Sequence, residues 1–132
     1  MIDRGKTRIV VAEDNADLRT LLQLVIDAEN DLGCVGATGS LSDVAALASR
    51  EAADVVVLDL ELNGESSLHH LSTLRDACPA ARFVIYSGHA HPKMKEGAML
   101  AGASDYVLKS GDSGELLQAI RAAMQRERPV AS

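Results

Sequence analysis

The stretch Val55-Val56-Val57-Leu58-Asp59-Leu60 decides the fold. Four consecutive apolar residues, three of them β-branched, suit a strand buried on both faces, as the central strand of a parallel sheet is. The run ends on a carboxylate. Open α/β sheets place their ligand sites just beyond the carboxyl ends of the strands, so Asp59 stands where chemistry is usually done.

Working outward, Arg8-Ile9-Val10-Val11-Ala12 is a second buried run, and it ends on Glu13-Asp14-Asn15. Leu18, Leu21, Leu22, Val25 and Ile26 then recur at helical spacing, which predicts a helix over 16–29 with Asp14 or Asn15 as N-cap. Cys34–Thr38 is a weaker strand between two glycines, followed by a helix start at Ser40-Leu41-Ser42-Asp43 and an inner face of Val44, Leu47 and Ala48. Beyond Asp59, Asn63-Gly64 signals a turn. A third helix from Ser66 or Ser67 buries Leu68, Leu71 and Leu74 and stops before Pro79.

Ala81–Tyr86 reads as a fourth strand ending on Ser87-Gly88. Pro92 suits the first turn of a fourth helix, which runs to Ala101 with Gly102 as its stop, although Gly97 weakens its middle. Ser104–Leu108 is a fifth strand ending on Lys109-Ser110. A last helix over 115–126 buries Leu116, Leu117, Ile120 and Met124. Five strands alternating with five helices predict an α/β fold with a single doubly wound, five-stranded parallel sheet. The flavodoxin-like order 2-1-3-4-5 fits, with its switch point between the first and third strands.

At 132 residues the chain is read as one domain over 8–126, with a polar leader at 1–7 and a tail or linker start at 127–132. Six more acidic than basic residues, a net charge of −6, argue against a broad basic face for nucleic acid. No apolar run is long enough for a membrane span, and the N-terminus has no apolar core for a signal sequence, so a cytoplasmic protein is expected. Cys34 and Cys78 show no Cys-x-x-Cys spacing and read as buried, reduced thiols. His89-Ala90-His91 lacks a third ligand and reads as an exposed loop, and His69-His70 as helix surface.

The strand ends collect chemistry: Glu13 and Asp14 from the first, Asp59 from the third, Ser87 from the fourth and Lys109 from the fifth. With the first and third strands adjacent, three carboxylates crowd one edge and resist full ionisation unless a cation enters. Mg²⁺ or Mn²⁺ answers this, because a hard divalent ion takes carboxylate, water and phosphoryl oxygens. The Lys109 ammonium and the Ser87 hydroxyl complete a site for a phosphoryl group moving onto Asp59 as an acyl phosphate.

With those residues in order, the chain resembles the receiver domain of two-component response regulators over about 7–126. Ala101-Gly102-Ala103-Ser104-Asp105-Tyr106-Val107-Leu108-Lys109 is similar to the family's fifth-strand pattern. Leu108-Lys109-Ser110 followed by Glu115-Leu116-Leu117-Gln118-Ala119-Ile120 resembles the branch that often carries a helix-turn-helix output domain. The resemblance implies that Glu13, Asp14 and Asp59 hold the metal with the backbone carbonyl of Glu61. It implies that Asp59 accepts phosphate from a histidine kinase or a histidine phosphotransfer protein, that Ser87 senses the phosphoryl group and that Lys109 pairs with it.

Tyr106 matches the family's switch aromatic, which swings inward when the strand-four hydroxyl moves toward the phosphate; the alternative is that it only plugs the sheet edge. The resemblance implies that phosphate then biases the face made by the fourth helix, fifth strand and fifth helix toward a partner or a homodimer. The donor is expected to dock on the first helix, with Ala16, Arg19, Leu22 and Gln23 as candidate contacts. Glu61 and His89 occupy positions that flank the phosphate, so they are candidates for tuning its hydrolysis.

Three departures from the family stand out. Asn63 replaces a usual proline and Ser67 a frequent glycine, which leads us to expect a more mobile loop after the acceptor. Ser110 replaces a common proline, which puts a cis Lys109-Ser110 peptide in doubt. The resemblance makes the chain a signalling switch that catalyses only its own phosphorylation and dephosphorylation. Its alternatives are a receiver-like interaction module that works without phosphate and, from Asp59-Leu60-Glu61, a haloacid-dehalogenase-like hydrolase. No Gly-x-Gly-x-x-Gly or Walker loop follows the first strand to support nucleotide binding.

Overall fold

A computed structural model describes residues 5–125; most of the polar leader, Arg126 and the 127–132 tail lie outside the described residues. Five parallel strands form one sheet: β1 (Thr7–Ala12), β2 (Leu32–Thr38), β3 (Val55–Asp59), β4 (Arg82–Ser87) and β5 (Asp105–Leu108). Their spatial order is β2-β1-β3-β4-β5, the order expected. All five residues of β3 are buried, because β1 pairs with one edge, β4 with the other, and helices cover both faces. Each apolar side chain so removed from water is worth about 1.5–3 kcal/mol, which is why an unbroken Val/Leu run belongs at this position.

Alternation along the strands sorts the side chains into two cores. Ile9, Val11, Val55, Val57 and Val84 point to the face covered by α1 (Ala16–Asp27) and α5 (Ser113–Gln125). Val10, Ala12, Val56, Leu58, Phe83 and Ile85 point to the face covered by α2 (Val44–Arg50), α3 (Leu71–Ala77) and α4 (Pro92–Leu100). Asn15 is the N-cap of α1, its side chain accepting from the Leu18 N–H. Pro92 opens α4 as expected.

Four details differ from the sequence reading. The β2 strand starts at Leu32 and accommodates its glycines through a register shift against Ile9 and Val10. A Cβ at Gly36 would come within 2.9 Å of the Leu47 side chain, so the glycine leaves room for that side chain against the strand. On α1 it is Leu22 that is buried, at 3% exposure, while Leu21 is 53% exposed. Leu22 therefore packs into the core and is removed from the candidate docking contacts. On α5, Met124 is only half-buried, and Ala119 and Ala123 fill the inner face beside Leu116, Leu117 and Ile120. Third, the segment after Asp59 is a short antiparallel hairpin, Glu61–Leu62 with Glu65–Ser66, followed by a 3₁₀ turn at Ser67–His70 before α3.

Fourth, both thiols are free, but only Cys78 is fully buried; Cys34 is half-buried, and burial pushes its thiol above the usual range. Among the described residues no peptide bond is cis, so Lys109-Ser110 is trans. Among them, too, no helix is long and apolar enough to cross a membrane.

Candidate functional site

Parallel strands end together at one edge, and the ladder brings their last residues into contact. Asp59 pairs in register with Tyr86, and Ser87 with Leu108. The Lys109 N–H donates to the Ser87 carbonyl at 2.7 Å, which extends β5 past its end and carries the lysine side chain over the edge. Lys109 Nζ then lies 2.8 Å from Glu13 Oε1 and 3.2 Å from Asp59 Oδ2. It also sits 5.9 Å from the ring centroid of Tyr86, a buried wall that the sequence reading did not single out.

Glu13, Asp14 and Asp59 come together as expected, with one ligand atom from each within 4.8 Å of the others. Their burial is unequal: Glu13 and Asp59 are buried, whereas Asp14 is exposed. One oxygen of each carboxylate accepts a backbone N–H. Glu13 Oε2 takes it from Asn15 at 3.0 Å, Asp14 Oδ2 from Asn63 at 2.7 Å, and Asp59 Oδ1 from Glu61 at 3.3 Å. The other Glu13 oxygen, Oε1, is buried and accepts a charge-assisted hydrogen bond from the Lys109 ammonium at 2.8 Å.

The electrostatics follow from this crowding. Burial first, and then the Glu13 charge, push the Asp59 carboxyl up to about 6 from its ordinary 3.8, although Lys109 opposes the rise. Burial pulls the Lys109 ammonium down, but the contacts with Glu13 and Asp59 outweigh it and leave it above the usual lysine range. The backbone bond from Asn63 is the largest influence holding Asp14 below the usual carboxylate range. Three carboxylates thus share one cation. The all-oxygen donor set, with one ligand atom from each acid within 4.8 Å of the others, fits a hard divalent metal ion, which the cluster could hold.

Ser87 and Tyr106 meet at one atom. The buried Ser87 hydroxyl donates to the His89 carbonyl at 3.2 Å and accepts from the His89 N–H at 3.1 Å. The Tyr106 hydroxyl donates to the same carbonyl at 2.9 Å, with the ring turned inward and 8% exposed. Glu61 and His89 are exposed beside the strand ends, and the His89 and His91 rings lie 5.7 Å apart in the loop after β4. Beyond Tyr106, a groove of about 620 Å³ between α4 and α5 is lined by His91, Lys95, Tyr106, Glu115 and Gln118.

Two residues of the loop after Asp59 act against the mobility expected of it. Ser67 is fully buried, and its hydroxyl donates to the carbonyls of Asp59 at 2.6 Å and Leu60 at 3.0 Å. Asn63 bonds Asp14 through its N–H and the Gly39 carbonyl through its side-chain amide at 2.9 Å. Both departures supply donors that tie the loop down, a role no local pattern announces. On α1, Arg19 is turned inward to the Glu13 carbonyl at 2.8 Å, leaving Leu21 and Leu24 as the exposed apolar residues.

Comparison with known proteins bears on the identity of this site. Residues 9–121 match the response regulator receiver domain family. Two Bacillus subtilis proteins are similar: the transcriptional regulatory protein DesR, 30% identical over 91% of this chain and 59% of its own, and the uncharacterized transcriptional regulatory protein YxjL, 29% identical over 96% and 58%. The chain therefore spans about three-fifths of the length of these relatives. A two-component response regulator of the LuxR family from an Aurantimonas species superposes with a TM-score of 0.86 at 30% identity, covering 93% of this chain and 88% of that one. The chain belongs to the response regulator receiver family, and it is a receiver domain of two-component signalling.

Proposed function

We propose that Asp59 accepts a phosphoryl group from the imidazole of a histidine kinase or a histidine phosphotransfer protein. The observation that carries this reading is the placement of Lys109 Nζ, 3.2 Å from Asp59 and 2.8 Å from Glu13, at the one edge where three carboxylates converge. At neutral pH a carboxyl near 6 is mostly ionised and able to attack. A carboxylate oxygen of Asp59 bonds to phosphorus as the bond from phosphorus to the donor nitrogen breaks, leaving an acyl phosphate. Lys109 leaves its carboxylate partners for the phosphoryl oxygens, and the Ser87 hydroxyl supplies a donor from the next strand.

Glu13, Asp14, Asp59 and the backbone carbonyl of Glu61 would hold Mg²⁺ or Mn²⁺. When bound, the ion supplies positive charge that neutralises the carboxylates and the incoming phosphoryl oxygens. Glu61 and His89, both exposed, set the lifetime of the acyl phosphate; unchanged dephosphorylation in Glu61→Ala and His89→Ala proteins would remove that role.

The readout runs through the carbonyl of His89. When the Ser87 hydroxyl turns to a phosphoryl group it gives up that carbonyl, and Tyr106 keeps the bond alone. The inward ring is then favoured, and the face formed by α4, β5 and α5 shifts toward a partner or a second copy. A few kcal/mol of differential interaction suffice for such a population shift. Borohydride reduction of protein treated with acetyl phosphate and Mg²⁺ maps the acceptor: the modified residue is expected at 59, and modification elsewhere overturns the assignment.

A further inference from the structure

We propose that α4 is a helix in two parts, clamped over residues 98–103 and opening about Gly97 over residues 92–96, and that the opening half is what moves when Ser87 releases the loop after β4. The coupling to phosphate rests on the reading of Ser87 as the sensor of the phosphoryl group. At the C-terminal end the Ala103 N–H donates to the Ala98 carbonyl at 2.9 Å and the Gly102 N–H to the Met99 carbonyl at 3.1 Å, the paired bonds of a Schellman cap. Gly102 supplies the positive φ that this cap needs, 103°. Ala98 and Ala103, 0% and 6% exposed, anchor the cap in the core. The clamp is completed from α3. The Arg75 guanidinium lies so close to Gly102 that a Cβ there would collide with it, and its Nη1 donates to the Ala101 carbonyl at 3.5 Å. A cation at this end also meets the negative pole of the helix.

The N-terminal end is built the opposite way. His91 stands at the N-cap, and its side chain makes no bond to the first turn. Lys93 and Lys95 put positive charge at the positive pole of the helix, where acids are favoured instead. Residues 92–96 are all exposed, and on their α5 side lies the groove of about 620 Å³, so little packing resists their movement. Gly97 between the two halves weakens the helix interior. The loop 88–91 runs from Ser87 directly into this half, and Ser87 holds it by two bonds to His89. Loss of both bonds frees the weak half and leaves the clamp untouched.

Amide hydrogen exchange, read residue by residue on the whole metal-free chain, tests the division. The Lys95 and Glu96 amides are expected to show protection at least about tenfold lower than those of Ala101 and Ala103. His91→Asp adds an N-cap acceptor with charge of the right sign and is expected to slow exchange at 95 and 96 by about fivefold. Gly97→Ala, whose Cβ would meet Leu68 at an ordinary 3.5 Å, should slow it similarly. Arg75→Met should instead speed exchange at 101 and 103 alone. Protection equal at the two ends of wild-type α4, or unchanged exchange at 95 and 96 in His91→Asp, overturns the two-part helix. With acetyl phosphate and Mg²⁺ present, exchange at 95 and 96 is expected to rise at least about threefold while 101 and 103 hold steady. Intact mass of the same sample reports the adduct. An adduct without that rise overturns the coupling to Ser87, whereas absence of an adduct overturns the acceptor reading and leaves the two-part helix to be decided by the metal-free exchange.

Discussion

The Tyr106 hydroxyl donates to the His89 carbonyl at 2.9 Å, and that carbonyl is shared with the Ser87 hydroxyl at 3.2 Å. The end of β4 and the outer face of β5 are therefore joined through a single backbone oxygen. Replacing Tyr106 by Phe keeps the ring in its buried place and removes the bond. The expected cost is about 1 kcal/mol of stability, with faster amide exchange confined to residues 88–91. Unchanged exchange in that loop would separate Tyr106 from Ser87.

The Asp59 carboxyl gives a pH signature in the absence of metal. Its folded-state value of about 6 exceeds the ordinary 3.8, so the folded protein binds the proton more tightly than the unfolded chain. Stability then falls as pH rises through the window between those two values, the reverse of a salt-bridged carboxylate. Asp59→Asn is expected to stabilise the metal-free protein at pH 7 by about 1–2 kcal/mol, an advantage that disappears below about pH 4. Saturating Mg²⁺ should favour wild type instead. Urea denaturation at several pH values checks both signs, and a destabilised Asp59→Asn protein at pH 7 without metal would contradict the crowding of charge.

Lys109 opposes that crowding. Removing its charge while keeping its apolar stem, as in Lys109→Met, leaves Glu13 and Asp59 facing each other without a cation. Carboxyl titration by NMR should place Asp59 above the wild-type value of about 6. A lower value would mean that the lysine is not the partner of these acids. Acyl phosphate formation should also slow by about 10²-fold, the usual scale for losing a donor aimed at developing charge.

Ser67 braces the backbone under the acceptor. Ser67→Ala leaves the Asp59 carbonyl without its 2.6 Å donor in a fully buried setting, at an expected cost of about 1–2 kcal/mol. Ser67→Gly should cost more, because it also frees the backbone of the turn. Equal thermal midpoints for wild type and Ser67→Ala would remove the brace.

Sequence reveals this fold where physics is local. The run from Val55 to Leu58 reads as a central strand because a chain buried on both faces has no polar positions to alternate with, and the acids, hydroxyl and lysine are visible because each falls at a strand end. What was not legible depends on the path of the chain. Leu21 and Leu22 are adjacent, so helical spacing accepts either, and only the angle at which α1 crosses the sheet buries Leu22. The hairpin at 61–66 is too short to show a period. Asn63 and Ser67 read as losses against a family pattern, yet they are donors whose acceptors, Asp14 and the Asp59 carbonyl, are known only once the chain has folded. The clue the sequence does carry is the Asn-Gly pair itself, which favours positive φ.

The central claim is that Asp59 takes the phosphoryl group. Intact mass after incubation with acetyl phosphate and Mg²⁺ tests it most directly, on wild type and Asp59→Asn side by side. One labile phosphoryl group on wild type and none on the variant is the predicted result. No adduct on wild type with Mg²⁺ bound, or equal adducts on both proteins, would contradict it.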